Sequence, residues 1–196
     1  MDSAVEERVE ERAIRSGSAY FFGGEQGILS GRPKGAEWLE DLMSHLLRGP
    51  DNAATPLDFS QVAFMDVSCT DELLNKLLLR LRSGELGSRY VYVVEANTSV
   101  RETIEAVLQL RDLAVLYRGG DRIELIGVLK RPMREALDVL LERKYATSAE
   151  VSEALGKNVN IVCNRLNALQ RMGLICRLRD GSVVGGGRQY YYASIL

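Results

Sequence analysis

Thr147-Ser148-Ala149-Glu150-Val151-Ser152-Glu153-Ala154-Leu155-Gly156-Lys157-Asn158-Val159-Asn160-Ile161-Val162-Cys163-Asn164-Arg165-Leu166-Asn167-Ala168-Leu169-Gln170-Arg171-Met172-Gly173 reads as two short helices joined by a tight turn. Thr147 with Glu150 three residues on is a capping box, in which each side chain satisfies a backbone donor at the helix start. Val151, Ala154 and Leu155 give the first helix its apolar side, and Gly156 is the expected stop. Lys157-Asn158 forms the turn, with Asn158 as N-cap of the next helix. That helix, over about 159–172, turns Val162, Leu166 and Leu169 inward, joined by Met172, and Gly173 ends it.

Working outward, Met133, Leu137, Leu140 and Leu141 mark a preceding helix that ends near Lys144. Two strands, 174–179 and 188–195, flank the glycine-rich stretch 180–187. The expectation for 131–196 is three helices and a β-hairpin. Tyr190-Tyr191-Tyr192 lies in a strand, so its members are expected to alternate between core and surface.

The charge divides at the same place. The 196 residues carry 25 Lys+Arg and 27 Asp+Glu, a formal net charge of −2. From Arg131 onward there are ten basic and six acidic residues, a net +4, which leaves −6 for 1–130. Such asymmetry marks a basic module joined to an acidic partner domain. Arg131-Pro132 sits at the boundary, and proline suits the first turn of a following helix.

Several classes of protein are excluded. A composition of 46% hydrophobic and 27% charged residues is that of a folded chain. The acidic start, Met1 to Glu7, lacks the basic-then-apolar order of a signal peptide. The densest apolar run, 73–79, is broken by Asn75 and Lys76 and is far short of a membrane span. Cys69, Cys163 and Cys176 are dispersed and odd in number, so neither a disulfide framework nor a zinc cage is expected. His45 is the single histidine, so His-based triads and metal sites are not expected. The expectation is a cytoplasmic protein that is not an enzyme, with no cofactor, no metal and no membrane contact.

The first 130 residues read as an α/β layer. Residues 1–24 are expected to be partly flexible or to add a strand, with 18–22 the strand candidate. A glycine-rich loop follows over 27–35, then a helix over 36–48 carrying Trp38, Leu39, Leu42, Met43, Leu46 and Leu47. Leu57, Phe59 and 62–65 suggest a mostly buried strand or strand pair. A leucine-rich helix is expected over 71–83, and a strand over 89–95. Ser99 with Glu102 reads as a capping box opening a helix that turns Val100, Ile104, Val107, Leu108 and Leu110 inward. Two apolar runs around Gly119-Gly120-Asp121 signal a hairpin. This order predicts a sheet covered by helices.

Leu57-Asp58-Phe59-Ser60-x-Val62-x-Phe64-Met65-Asp66-x-Ser68-x-x-Asp71-Glu72-Leu73-Leu74 resembles the signature of STAS-like domains, the family of sulfate transporters and anti-sigma-factor antagonists. In those antagonists the strand ends in Phe-Met-Asp-Ser-Ser-Gly and the second serine is a phosphorylation switch. Ser68 falls on that position, with Val67 in place of the first serine and Cys69 in place of the glycine. The resemblance covers about 25–130 and implies a non-catalytic interaction domain. Ser68 is expected to act as a helix N-cap or as a phosphorylation site, where Asp66, Asp71 and Glu72 would repel the phosphate.

The C-terminal segment resembles the winged helix-turn-helix of MarR-like and ArsR-like regulators. The matching stretches are Ala149 to Gly156, Val162 to Leu169, Met172-Gly173-Leu174-Ile175, and Gly187-Arg188-Gln189-Tyr190-Tyr191-Tyr192. The resemblance implies a recognition helix presenting Asn160, Ile161, Asn164 and Arg165 to base edges. Lys157, Arg171, Arg177, Arg179, Ser182 and Arg188 would contact the backbone, the last four from the wing. The combined expectation is a transcription regulator that binds double-stranded DNA, most simply as a homodimer, with a STAS-like domain that takes a signal by binding a protein partner or by phosphorylation. The alternative is a protein-only adaptor in a phosphorylation-dependent partner-switching pathway, with the winged helix as docking surface.

Overall fold

The computed structural model describes residues 14–179 and 190–196. The fold is mixed α/β. It divides into two compact units, Arg15–Leu129 and one that contains Lys130–Leu196. No helix among the described residues is long and apolar enough to cross a membrane.

In the first unit β1 (Arg15–Ser16) and β2 (Tyr20–Phe21) both pair in parallel with β4 (Ala53–Asp58). The sheet continues through β6 (Arg89–Val94) and β7 (Ala114–Gly119), all parallel, and closes with β8 (Arg122–Gly127) antiparallel to β7. Pro56 lies within β4, between the residues that pair with β1 and those that pair with β2. A residue without an N–H is tolerated best where the ladder is interrupted. Parallel neighbours require crossovers, and helices supply them. A small second sheet pairs β3 (Ile28–Leu29) with β5 (Phe64–Met65).

Helix α1 (Arg32–Arg48) begins four residues before the sequence pattern predicts. Pro33 occupies its first turn, where its fixed φ and missing N–H cost nothing. The expected loop 27–35 therefore includes a helical turn. Gly35 is buried in it, and a Cβ there would lie 2.7 Å from the Cys69 carbonyl oxygen and 2.8 Å from the Glu72 Cβ. Glycine at this point lets α1 approach the next helical segment closely.

That segment also starts early. α2 (Val67–Thr70) runs through a π turn (Asp71–Asn75) into α3 (Lys76–Ser83). Its N-cap is Asp66, whose side chain accepts from the Cys69 N–H. Ser68 lies inside the first turn, which corrects the N-cap expectation for Ser68. The cap of α4 (Thr98–Leu110) is likewise Asn97 and not Ser99. Asn97 Oδ1 accepts from the Val100 N–H at 3.0 Å, while its Nδ2 donates to the carbonyls of Val62 and Ala63. An amide can cap and donate at once, which a serine at 99 could not do for these carbonyls. Leu110 is 78% exposed, so the helix's inward face ends at Leu108.

The core of this unit joins Leu39, Leu42 and Leu46 of α1 to Leu73, Leu74 and Leu77, to Val100, Ile104 and Leu108 of α4, and to Leu57, Val91, Val93 and Val115 of the sheet. Burial of each such side chain contributes about 1.5–3 kcal/mol. Arg89 closes α1: its Nε donates to Leu46 O at 2.6 Å, and Nη2 reaches Leu47 O and Gly49 O.

In the second unit α5 (Arg131–Arg143) leads into β9 (Tyr145–Thr147), α6 (Ser148–Leu155), α7 (Val159–Arg171), β10 (Ile175–Arg179) and β11 (Tyr190–Ser194). The capping box at Thr147 and Glu150 is present. Gly156 ends α6 in the left-handed conformation, and Asn158 caps α7. Strand β9 was not legible, because its three residues are too few to show a period of two. It makes a three-stranded antiparallel sheet with β11 in the middle. Tyr191 and Tyr192 are both buried, so the run does not alternate between core and surface as expected. Ala154 is exposed, contrary to its expected inward place. Ala136, Leu137, Leu140, Val151, Val162, Leu166 and Leu169 are buried.

Candidate functional site

Helix α7 presents a face without negative charge. Its residues Val159–Arg171 contain two arginines and no carboxylate. The longer stretch 157–179 carries Lys157, Arg165, Arg171, Arg177 and Arg179 with no Asp or Glu. At about 100° per residue, Asn160, Asn164 and Arg171 lie opposite the buried stripe of Val162, Leu166 and Leu169. All three are exposed, as is Lys157 in the preceding turn. Ile161, 49% exposed, lies to one side of them.

Arg165 departs from its expected place. It sits only about 65° from the centre of the buried stripe at that spacing. It is half-buried, and its Nη1 is shut off from solvent without a hydrogen-bond partner. The outward set is therefore Asn160, Asn164 and Arg171, with Ile161 at its border and Arg165 on the flank. Arg177 is exposed and lies over the Tyr190 ring at 4.7 Å. Arg179 is the last residue of β10. Ser182 and Arg188 lie outside the described residues.

The turn that delivers α7 is fixed from behind. The Ser152 hydroxyl donates to Lys157 O, and the Lys157 N–H donates to Ser152 O at 3.1 Å. Asn158 Oδ1 accepts from the Asn160 N–H at 2.9 Å. At the far side, the Tyr192 hydroxyl donates to Asn167 Oδ1 at 3.2 Å. These contacts hold a helix N-terminus, where backbone N–H groups favour an anion.

Around Ser68 the charges are arranged differently from expectation. Ser68 is exposed. Asp71, beside it, is neutralised: Arg111 Nε and Nη2 donate to Oδ1 at 3.2 and 3.0 Å, Arg32 Nη1 to Oδ2 at 3.2 Å, and Asn75 Nδ2 to Oδ1 at 3.0 Å. Glu72 is held by Arg32 and Lys76. Burial pushes the Asp71 carboxyl upward, but Arg111 and Arg32 outweigh it and hold the group below the usual carboxylate range. At Asp66 burial also acts upward, and hydrogen bonds from Ser30, Cys69, Gly31 and Ser68 outweigh it. The repulsion expected from Asp71 and Glu72 at Ser68 is thus largely cancelled. The arginines responsible lie 36 and 43 positions away along the chain, so no local pattern could reveal them.

Cys69 is fully buried, and burial with the nearby Asp66 pushes its thiol up to about 11. It is not a thiolate at neutral pH. His45 Nε2 lies 3.0 Å from Ser18 O, and its ring meets Tyr20 edge-on.

No protein-family model matches the chain, and no curated protein matches it.

Proposed function

We propose that the protein is a DNA-binding transcription regulator, with a winged helix in Lys130–Leu196 and a STAS-like sensing unit in Arg15–Leu129. The reading rests on one observation above all: an outward helix face with Asn160, Asn164 and Arg171, inside a stretch of five basic residues without a carboxylate. Asn160 and Asn164 offer the donor and acceptor pair that matches an adenine edge. Lys157, Arg171 and Arg177 hold phosphates and set the register. Three helices and a three-stranded sheet in the order seen here suit a recognition helix followed by a wing. The protein acts in the cytoplasm as a homodimer, because paired half-sites raise the affinity a single small module reaches. It carries out no catalysis. Duplexes selected from a random pool test the reading, because bound sites must be enriched and paired half-sites must show as a palindrome.

A second reading is favoured by Ser68 itself, exposed beside Arg32 and Arg111. In it the protein is an adaptor switched by phosphorylation of Ser68, and the winged helix docks a protein. A kinase-containing extract that labels the chain but not Ser68→Ala supports this reading, and equal labelling of both removes it.

A further inference from the structure

Arg32, Val67, Ser68, Asp71, Val107, Leu110 and Arg111 enclose a cavity of about 150 Å³ between the start of α1, the first turn of α2 and the end of α4. One wall is polar and the other is apolar. On the polar wall two arginines from separate elements converge, with side chains 59% and 52% exposed. Arg32 engages its carboxylates through Nη1 alone, and Arg111 through Nε and Nη2. Arg32, Arg111 and Ser68 all line the cavity. On the apolar wall Val107 is buried, while Val67 and Leu110 are 53% and 78% exposed. Leu110 is among the most exposed large hydrophobic side chains of the described residues, and it stands beside two arginines.

We propose that this cavity binds a small monocarboxylate with a short aliphatic tail. The carboxylate lies between Arg32 and Arg111 within reach of Ser68, and the tail covers Val67, Val107 and Leu110. The guanidinium N–H groups that Asp71 and Glu72 do not engage supply charge-assisted hydrogen bonds to the ligand carboxylate. Size restricts the ligand, because drug-sized molecules occupy pockets of roughly 300 Å³ and more. Charge restricts it too. Arg32, Arg111 and Lys76 are paired with Asp71 and Glu72, three cations against two carboxylates, a surplus of one that suits a monoanion better than a dianion. Covering Leu110 removes apolar area from water, which inorganic anions cannot do. This inference names the chemical class of the signal in the sensing reading, but the cavity is tested without DNA, so loss of one does not remove the other.

The test is a titration of the full-length protein with isobutyrate and isovalerate, followed by calorimetry and by NMR shifts, with isobutyramide and inorganic phosphate as controls. Saturation is expected on the order of 1 mM for a ligand of this size. Isobutyramide and phosphate should each bind about tenfold more weakly or worse. Arg111→Gln should lose binding, but it also disturbs Asp71. Leu110→Glu avoids that difficulty, since the side chain is exposed: its melting temperature should be unchanged and its affinity at least about tenfold lower. The proposal is overturned if neither carboxylate saturates, if isobutyramide or phosphate matches them, or if Leu110→Glu binds as the wild type does.

Discussion

Basic side chains serve opposite ends in two regions of this protein. In Arg15–Leu129 they are turned on the fold itself. Arg32 and Arg111 converge on Asp71, Arg89 holds the carbonyls that end α1, and Arg101 pairs with Glu124 while lying over Tyr117. In 157–171 no carboxylate among the described residues meets Lys157, Arg165 or Arg171. A charge paired inside the fold contributes to stability and leaves only its unengaged donors, as at Arg32 and Arg111, for a small ligand, whereas an unpaired one on an ordered face is wholly open to a partner. Net charge alone conceals the difference, since −6 and +4 sum to an uninformative −2.

The sharpest way to break this comparison is Asp71→Ala. It strands two arginines and the Asn75 amide, and should cost about 2–3 kcal/mol, below a fully buried pair because both arginines are half exposed. Urea unfolding measures it, and a loss under about 0.5 kcal/mol would show that these charges are not engaged. The same site gives a pH signature. Asp66 and Asp71 are held below their ordinary pKa of about 4. Their contribution is complete above that pH and is lost as pH falls through the depressed folded values. Asp71→Asn should therefore flatten the acid limb of stability against pH, and an unchanged limb would count against the account.

Next in size is Gly35→Ala, a steric test of how closely α1 meets α2. A methyl group 2.7 Å from a backbone oxygen forces a shift that costs about 1–3 kcal/mol. Asn164→Ala should leave stability within about 0.5 kcal/mol and relax base preference by about 1–3 kcal/mol at one position of the bound site. If the selected sequences are the same for wild type and variant, Asn164 does not read a base. Smallest is Arg171→Ala, which should weaken all duplexes alike and reduce the salt slope by about one unit.

The parts of the fold legible in the sequence were those written in local periodicity and punctuation. The capping box at Thr147 and Glu150, the stop at Gly156, the Asn158 cap and the stripe of Val162, Leu166 and Leu169 needed no distant residue. Errors arose where a long-range contact decided the local state. The Asp66 carboxylate that caps α2 is also held by Ser30 and Gly31, and Gly35 sits within α1 as a glycine because Cys69 and Glu72 leave no room for a Cβ. Arg165 is expected among the outward residues, although its angle on the helix puts it next to the core. The arginines around Ser68 come from distant positions, so the local sequence shows Asp71 and Glu72 as repulsive although they are paired.

The central claim is that the face of α7 binds duplex DNA, and the most direct measurement is affinity for selected duplexes as a function of salt. Lys157, Arg171 and Arg177 on each of two subunits predict a log–log slope of about −5, at nearly 0.9 per phosphate neutralised. Binding that falls along that slope supports the account. No affinity even at low ionic strength, or an affinity indifferent to salt, would contradict it.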